Sequence, residues 1–315
     1  MTLEPKNQHD ITDETYYTQA VGKQYLSVHA LMSYLKNPAL FYLKGNGYLK
    51  NTSSPSADAG RLFHAFMHDE TDFLQEVRNL GKTPFSLGRK KYSDEEIVEM
   101  IYNDPEELKP KGDFEAVWQF IQNNWYKRHD IWNETDGVKE LILTGTIGEA
   151  PFKGRLDKLT IEDDKAYIYD YKTLALKEFY GFWYEDDERF EKSFIHEYNY
   201  DLQMTAYAEL VKQNFPQVKD VYITFGILVK KGKYDFTEYP SSYIETTTEN
   251  IKDLYTHRFN GRSPLAVLME ESLGAYNLLN MDNDTFMKLY GKNSVYAELV
   301  LNTGAKLDFS DFRLK

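Results

Sequence analysis

The sequence contains no cysteine. Disulfide bonds, thiolate zinc sites, iron–sulfur clusters and cysteine nucleophiles are therefore all excluded. A metal ion bound to this chain would have to use oxygen or imidazole ligands.

A long apolar segment is also absent. No hydrophobic run approaches the roughly 20 residues that a membrane-spanning helix needs. The amino terminus carries Glu4, Asp10, Asp13 and Glu14, which is unlike the basic and then apolar start of a signal peptide. We expect a soluble, cytoplasmic protein with no membrane partner.

Positive charge is in short supply. The 37 Lys and Arg residues face 50 Asp and Glu residues, which gives a net charge of −13. This balance disfavours broad nonspecific binding to nucleic acid, because phosphate binding depends on Lys and Arg displacing counterions. It still permits a local basic groove. Two basic clusters are candidates for phosphate contacts or, equally, for solvated loops: Lys82 with Arg89, Lys90 and Lys91, and Lys230 with Lys231 and Lys233.

The chain is long enough for one core with additions. Residues 1–24 are polar and lack periodicity, which predicts a flexible or loosely docked arm. Residues 25–263 are predicted to form the main domain. Residues 264–315 are mixed and acidic, and we treat them as a C-terminal extension without an assigned structure.

Hydrophobic periodicity predicts helices first and strands afterwards. Helices are expected from Ser27 to the break at Asn37 and Pro38, around residues 41–43, at residues 60–68, and twice within residues 93–124. Strands are expected at residues 140–147, 151–161, 165–173, 221–229 and 234–238, with a helix at residues 199–213. This order of elements predicts an α/β or α+β fold.

Asp157, Asp170 and Lys172 form the candidate centre. Asp157 lies near the end of one predicted strand, and Asp170 lies on its hairpin partner, so one end of a sheet can hold both carboxylates. Asp170 and Lys172 share a face because the side-chain period of a strand is two. Carboxylates can bind Mg²⁺, which activates water and neutralises phosphate charge, and a lysine can orient the nucleophile. The set predicts metal-dependent phosphodiester hydrolysis.

The D-x-K triplet alone has little specificity, because exposed strands often alternate acids and lysines. Asp170, however, lies in an otherwise apolar and aromatic strand, where an unpaired carboxylate is costly. The structural alternative is a buried ion pair of Asp170 with Lys172 or with Arg155.

Four short motifs occur in a fixed order. They are Gly60-Arg61-Leu62-Phe63-His64, Gly154-Arg155-Leu156-Asp157, Asp170-Tyr171-Lys172-Thr173 and Gln203-Met204-Thr205-Ala206-Tyr207. This series resembles the PD-(D/E)XK nucleases of the RecB-like branch. The entry with Ile11-Thr12, Tyr16-Tyr17, Ser27 and Asn37-Pro38 resembles the RecE (exonuclease VIII)-type phage exonucleases. Each motif is weak alone, but four in order are jointly specific.

The resemblance implies a mixed β-sheet flanked by helices, with helical N-terminal additions. It implies a Mg²⁺ site, at which Mn²⁺ can substitute, with ligands from Asp157, Asp170, His64 and the Tyr171 carbonyl. The implied catalytic residues are Asp157, Asp170, Lys172 and His64. The implied substrate-binding residues are Gln203, Tyr207, Arg155 and Thr173, although Tyr207 can equally be a packed helix aromatic. Two departures from the pattern are Leu156, where proline is common, and Asp170, where glutamate is commoner.

His64 and His68 also have the i, i+4 spacing of zinc-hydrolase ligands. A zincin is disfavoured because Ala65 stands where the H-E-x-x-H motif needs glutamate. We predict that His68 is an ordinary hydrogen-bonded or surface histidine. Glu140 could add a carboxylate near the metal and Glu149 is expected in an exposed turn, but neither is predicted to be catalytic.

The predicted function is a phage- or prophage-encoded exonuclease that degrades one strand of duplex DNA from an end and exposes single strands for recombination. We expect a homo-oligomer whose partners are linear duplex ends and a single-strand annealing protein. Two alternatives stay open. One is a structure-specific or single-strand endonuclease with the same site, and the other is a catalytically silent DNA-binding or protein-recruiting module.

Overall fold

A computed structural model describes residues 3–50, 54–87, 92–103, 105, 108–175, 195, 198–230, 244–247, 262–290 and 307–308. Among these residues, no helix is both long and apolar enough to cross a membrane. The basic stretch at residues 89–91, Lys231 with Lys233, and the strand expected at residues 234–238 lie outside the described residues.

The amino-terminal half of the chain is helical, as expected. The elements are α1 (Asp13–Tyr16), α2 (Gln19–Gln24), α3 (Val28–Lys36), α4 (Pro38–Gly45), α5 (Pro55–His68), α6 (Glu70–Leu80), α7 (Asp94–Asn103), α8 (Phe114–Asn124), a 3-10 turn (Trp125–Lys127) and α9 (Arg128–Trp132). Side-chain caps fix several of the helix starts: Ser27 accepts from the Ala30 N–H, Asn37 from Leu40, and Ser54 from Ala57.

A mixed sheet follows. It consists of β2 (Val138–Ile147), β3 (Ala150–Glu162), β4 (Lys165–Ala175), β5 (Asp220–Lys230) and β6 (Ile244–Thr247), in that spatial order. Within the described part of this sheet, the β4–β5 pair is parallel and the other pairs are antiparallel. Helix α10 (Tyr200–Asn214) lies between β4 and β5 in the chain. A separate short pair joins β1 (Leu49–Lys50) to β7 (Leu307–Asp308).

Helices pack on the sheet. α10 contacts β2 and β3, α5 contacts β4, and α8 contacts β5. Along β4 the buried residues are Ala166, Ile168, Asp170 and Leu174, which is the alternation of a half-buried strand. The predicted α+β fold, a mixed sheet flanked by helices, is confirmed.

The amino-terminal segment does not hang free in its described part. The backbone N–H of Lys6 donates to the Asn214 carbonyl at 3.1 Å, and that of Asn7 donates to Asn214 Oδ1 at 3.0 Å. Asn7 Nδ2 reaches the Thr144 carbonyl at 2.9 Å. In the described residues this segment is therefore docked, the second of the two possibilities that the sequence leaves open for residues 1–24. Backbone and side-chain amide groups dock this segment, and such polar contacts require no hydrophobic periodicity in the sequence.

Residues 264–290, for which the sequence allows no assignment, form α11 (Pro264–Leu279) and α12 (Asn283–Tyr290). α11 packs against α3, α4, α10 and the β2–β3 hairpin. The Phe286 ring stacks on Tyr42 at 3.8 Å between centroids, and the Tyr42 hydroxyl donates to Asn283 Oδ1 at 2.5 Å. These helices belong to the same packed body as the helical half of the chain.

Candidate active site

Strands β3 and β4 separate at the candidate centre. Their ladder runs from Glu162 opposite Lys165 to Lys158 opposite Tyr169 and then stops, although the same register would next bring Asp157 opposite Asp170. Beyond this point β3 stays paired with β2, and β4 stays paired with β5. Asp157 therefore lies in the middle of the 13-residue strand β3. The sequence suggests a position near the end of this strand, so that expectation is corrected. The two carboxylates flank the point where the sheet opens.

The Asp157 side chain takes over a position in this broken ladder. Its Oδ2 accepts a hydrogen bond from the Tyr171 backbone N–H at 2.6 Å. Hydrogen bonds to an ionised acceptor are short and strong. The bond fixes the carboxylate and satisfies a backbone donor that would otherwise need a strand partner.

Asp170 and Lys172 are in direct contact through Oδ2 and Nζ, and Asp170 is only 1% exposed. Burial raises the pKa of Asp170 to about 7, the negative charge of Asp157 adds to this rise, and Lys172 opposes it. Burial alone would lower the pKa of Lys172, but attraction to Asp170 and Asp157 raises it overall. The buried ion pair considered as an alternative is thus present, with Lys172 as the partner of Asp170.

Glu140 lies opposite Asp157 on the neighbouring strand β2. The flanking pairs are Lys139 with Lys158 and Leu141 with Leu156, whereas Glu140 itself leaves the ladder with a φ of +51°. This left-handed conformation is costly for a residue other than glycine, and such strain concentrates at functional sites. Burial, followed by the charge of Asp157, raises the pKa of Glu140 to about 8, and Arg155 opposes this shift.

His64 completes a group of three potential ligands. Its Nδ1 lies 3.4 Å from Asp157 Oδ2, and ligand atoms of His64, Glu140 and Asp157 all lie within 4.8 Å of one another. Two carboxylates and an imidazole, crowded together and partly buried, form a donor set that fits a divalent cation. The sequence indicates that Glu140 could add a carboxylate near the metal, but it does not predict Glu140 as a member of the catalytic set.

Close packing of α5 on β4 brings His64 to this position. A Cβ atom on Gly60 would lie 3.3 Å from Thr173 Oγ1, so the glycine allows the helix to approach the strand. His64 is one turn further along the same helix face. Burial lowers the pKa of His64, while Asp157 and a hydrogen bond with the Tyr171 backbone act in the opposite direction. Thr173, expected at the substrate, lies beneath α5.

Comparison with known proteins identifies a family for this chain. The family described as "PDDEXK-like domain of unknown function (DUF3799)" matches residues 27–252, which is most of the chain. The chain belongs to this PDDEXK-like family. No curated protein matches it.

Two solved structures are similar to this PDDEXK-like chain. One, described as a "Putative exonuclease" from Eubacterium rectale, is 17% identical, covers 87% of this chain and 88% of its own, and has a TM-score of 0.59. At that identity the similarity shows a shared fold. The other, SSO0001, is 12% identical over 83% of this chain and 93% of its own, and its TM-score of 0.26 carries no argument.

Two of the residues expected at the substrate, Gln203 and Tyr207, are buried in the PDDEXK-like core. Gln203 Nε2 donates to the Tyr207 hydroxyl at 2.9 Å on α10. A Cβ atom on Gly154 would meet the Tyr207 ring at 2.9 Å, so the glycine of the G-R-x-D motif makes room for this ring under β3. With exposures of 4% and 7%, both side chains support the strand that carries Asp157. The packed-aromatic interpretation of Tyr207 fits this geometry.

Arg155 is held by protein groups. Its Nε lies 2.8 Å from Glu140 Oε2, its Nη1 lies 3.5 Å from Asp13 Oδ1, and its Nη2 donates to the Tyr17 hydroxyl at 3.0 Å. The guanidinium thus links the amino-terminal segment to the strained glutamate. His68, by contrast, bonds Asp72 through Nδ1 at 2.6 Å, as expected for a hydrogen-bonded histidine outside the centre.

Proposed function

We propose that this protein is a Mg²⁺-dependent exodeoxyribonuclease that hydrolyses one strand of duplex DNA from an end. The observation that carries the proposal is the convergence of His64, Glu140 and Asp157, within 4.8 Å of one another, beside the buried pair of Asp170 and Lys172. A silent module would not need this arrangement, because strained and partly buried like charges destabilise a fold that gains nothing from them.

Asp157, Glu140 and His64 would hold the ion, with Asp170 and the Tyr171 carbonyl completing its surroundings. A bound Mg²⁺ supplies acidification of a water molecule and neutralisation of negative charge on the phosphate. Mn²⁺ has similar ligand preferences and would substitute.

The remaining groups act on the nucleophile and on the ligands. Lys172 presents its ammonium where it can hydrogen-bond an attacking water, and Asp170 holds it there. The Tyr171 N–H fixes Asp157, and Arg155 fixes Glu140. The ligands are therefore oriented before substrate arrives, which lowers the reorganisation needed during the reaction.

Attack at DNA ends, a role in recombination, a phage or prophage origin and a cytoplasmic location are supported by the motif resemblance. The printed description of the Eubacterium rectale structure points the same way for exonuclease activity. A homo-oligomer and a single-strand annealing partner belong to the same proposal. An endonuclease with the same site is the second candidate, because the four motifs describe the chemistry and not the choice of end.

One assay separates these functions. Purified protein is incubated with end-labelled linear duplex and with closed circular duplex, in Mg²⁺ and in chelator, with Asp157→Asn as the control. We expect the linear duplex to be degraded in Mg²⁺ but not in chelator, and the closed circular duplex to stay intact in both. Cleavage of the circle would select the endonuclease. Binding of DNA without cleavage in either Mg²⁺ or Mn²⁺ would select the silent module.

A further inference from the structure

Tyr17 is an exposed aromatic residue beside the candidate centre. Its side chain is 75% exposed, which makes it one of four large apolar side chains more than half exposed among the described residues. A single exposed ring is common on protein surfaces and means little alone. This ring, however, is held in place from two sides.

The first support is Tyr16. Its ring meets Tyr17 edge-on, with centroids 4.9 Å apart and planes at 82°, and Tyr16 is itself buried. The ammonium of Lys153 on β3 lies 4.2 Å from the Tyr16 ring centroid and donates to the Tyr16 carbonyl. Tyr17 therefore stands on a neighbour that is anchored to the central sheet.

The second support is Arg155. Its Nη2 donates to the Tyr17 hydroxyl at 3.0 Å, and its guanidinium lies 5.1 Å from the ring centroid. The same guanidinium pairs with Glu140, whose carboxylate lies within 4.8 Å of Asp157 and His64 ligand atoms. The Arg155 side chain therefore contacts both the Tyr17 ring and Glu140, which belongs to the group of potential metal ligands.

We propose that Tyr17 is a stacking platform for a nucleobase of the DNA strand whose phosphate enters the site. This inference rests on the nuclease function proposed above and deepens it. Every base has a flat π-face, so aromatic stacking binds strands without sequence preference. A chain with a net charge of −13 has limited phosphate attraction, and its Arg155 is occupied by protein groups, so stacking supplies binding that salt does not screen.

The test measures KM and kcat for Tyr17→Ala and Tyr17→Phe on linear duplex. A matched control is Tyr126→Ala, because Tyr126 is 72% exposed and its ring lies beside Lys127. We expect Tyr17→Ala to raise KM roughly 5- to 150-fold with little change in kcat, the range that one stacked base contributes. Tyr17→Phe keeps the ring and loses only the hydrogen bond from Arg155, so its KM should stay much closer to the parental value than that of Tyr17→Ala. Tyr126→Ala should resemble the parent.

A second series places one abasic nucleotide at each of the terminal positions of either strand. At the stacked position, the parent should lose affinity to the same extent as Tyr17→Ala loses it on intact DNA, and Tyr17→Ala should lose nothing further. If the abasic substitution and Tyr17→Ala lower the affinity independently at every position, so that the two fold-losses multiply, no base stacks on Tyr17. If Tyr17→Phe is as impaired as Tyr17→Ala, the hydroxyl only supports Arg155, and the inference is overturned.

Fluorescence of DNA ends labelled with 2-aminopurine gives a readout that is independent of cleavage. Stacking on Tyr17 should quench the parent complex, and Tyr17→Ala should relieve the quenching. If the protein quenches the probe but cuts no DNA, the stacking platform is supported and the proposed nuclease function is contradicted. If the protein cuts DNA and binds the labelled end, but the quenching does not depend on Tyr17, the nuclease function is supported and the stacking platform is contradicted.

Discussion

The Asp157 carboxylate accepts the Tyr171 backbone N–H at 2.6 Å, at the position where the β3–β4 ladder stops. A side chain thus replaces the strand pairing that would otherwise continue. The sheet can open at this point without leaving a backbone donor unsatisfied. The same bond orients the carboxylate toward His64 and Glu140, so the opening of the sheet and the shape of the ligand group have one cause.

The two roles of Asp157 can be separated by substitution. Asp157→Asn keeps an oxygen for the Tyr171 N–H but loses charge, whereas Asp157→Ala loses both. We expect both variants to abolish cleavage, and only Asp157→Ala to lose roughly 1–3 kcal/mol of unfolding free energy in urea, the cost of an unsatisfied buried donor. An Asp157→Asn variant that cuts DNA at the parental rate would contradict the metal assignment.

Glu140 should show a conflict between stability and function. Its φ of +51° suits glycine, so Glu140→Gly should raise the free energy of unfolding by about 1 kcal/mol. The same change removes a ligand and should increase the Mg²⁺ concentration needed for half-maximal cleavage.

Glu149 is the matched control, because it is an exposed glutamate in a turn with a φ of +65°. Glu149→Gly should bring a similar gain in stability and leave the metal requirement unchanged. If Glu140→Gly cleaves with the parental Mg²⁺ dependence, Glu140 is not a ligand and its strain has another cause.

The approach of α5 to β4 should be sensitive to one methyl group. Gly60→Ala places a Cβ 3.3 Å from Thr173 Oγ1 and should shift His64 away from Asp157, with a lower cleavage rate and a weaker metal affinity. The double variant Gly60→Ala/Thr173→Ala removes the contacting oxygen and should restore both. Gly22→Ala in α2 is the control, because nothing lies within 4 Å of its added Cβ. Failure of the double variant to recover would place the effect elsewhere.

Assembly is a separate prediction from the motif resemblance. We expect light scattering to give a mass that is a multiple of 36.9 kDa at working concentrations. A monomeric protein that still digests DNA processively would exclude a ring of subunits as the source of processivity.

Much of this site can be predicted from sequence because its elements follow local rules. The alternation along β4 places Asp170 and Lys172 on one face, and the caps at Ser27 and Asn37 mark two helix starts. Glu140 required one further step. Ile147 and Ala150 flank a two-residue turn in which Gly148 and Glu149 both have positive φ, and counting back from that turn sets Glu140 against Asp157. Register, and not residue type, was the signal.

Other features leave no local signal. A left-handed glutamate inside a strand has no sequence signature, because glutamate does not favour that conformation. The docking of Asn7 on Asn214 joins residues 207 positions apart through polar groups. The termination of the β3–β4 ladder depends on the three-dimensional separation of the two strands. The buried positions of Gln203 and Tyr207 depend on how closely α10 approaches Gly154. Neither the motif that contains Gly154 nor the motif that contains Gln203 and Tyr207 specifies this distance by itself.

Lys172 tests the central claim most directly, through turnover of linear duplex by Lys172→Ala and Lys172→Arg in Mg²⁺. If the ammonium orients the attacking water, Lys172→Ala should lower kcat by ~10²–10⁴ and leave KM nearly unchanged, because the contribution appears only in the transition state. Lys172→Arg should be nearly as inactive, since a planar fork cannot replace a compact ammonium. Thermal melting checks that the buried Asp170 carboxyl tolerates each change. A folded Lys172→Arg variant with close to full turnover, or cleavage that persists in chelator, would contradict the account.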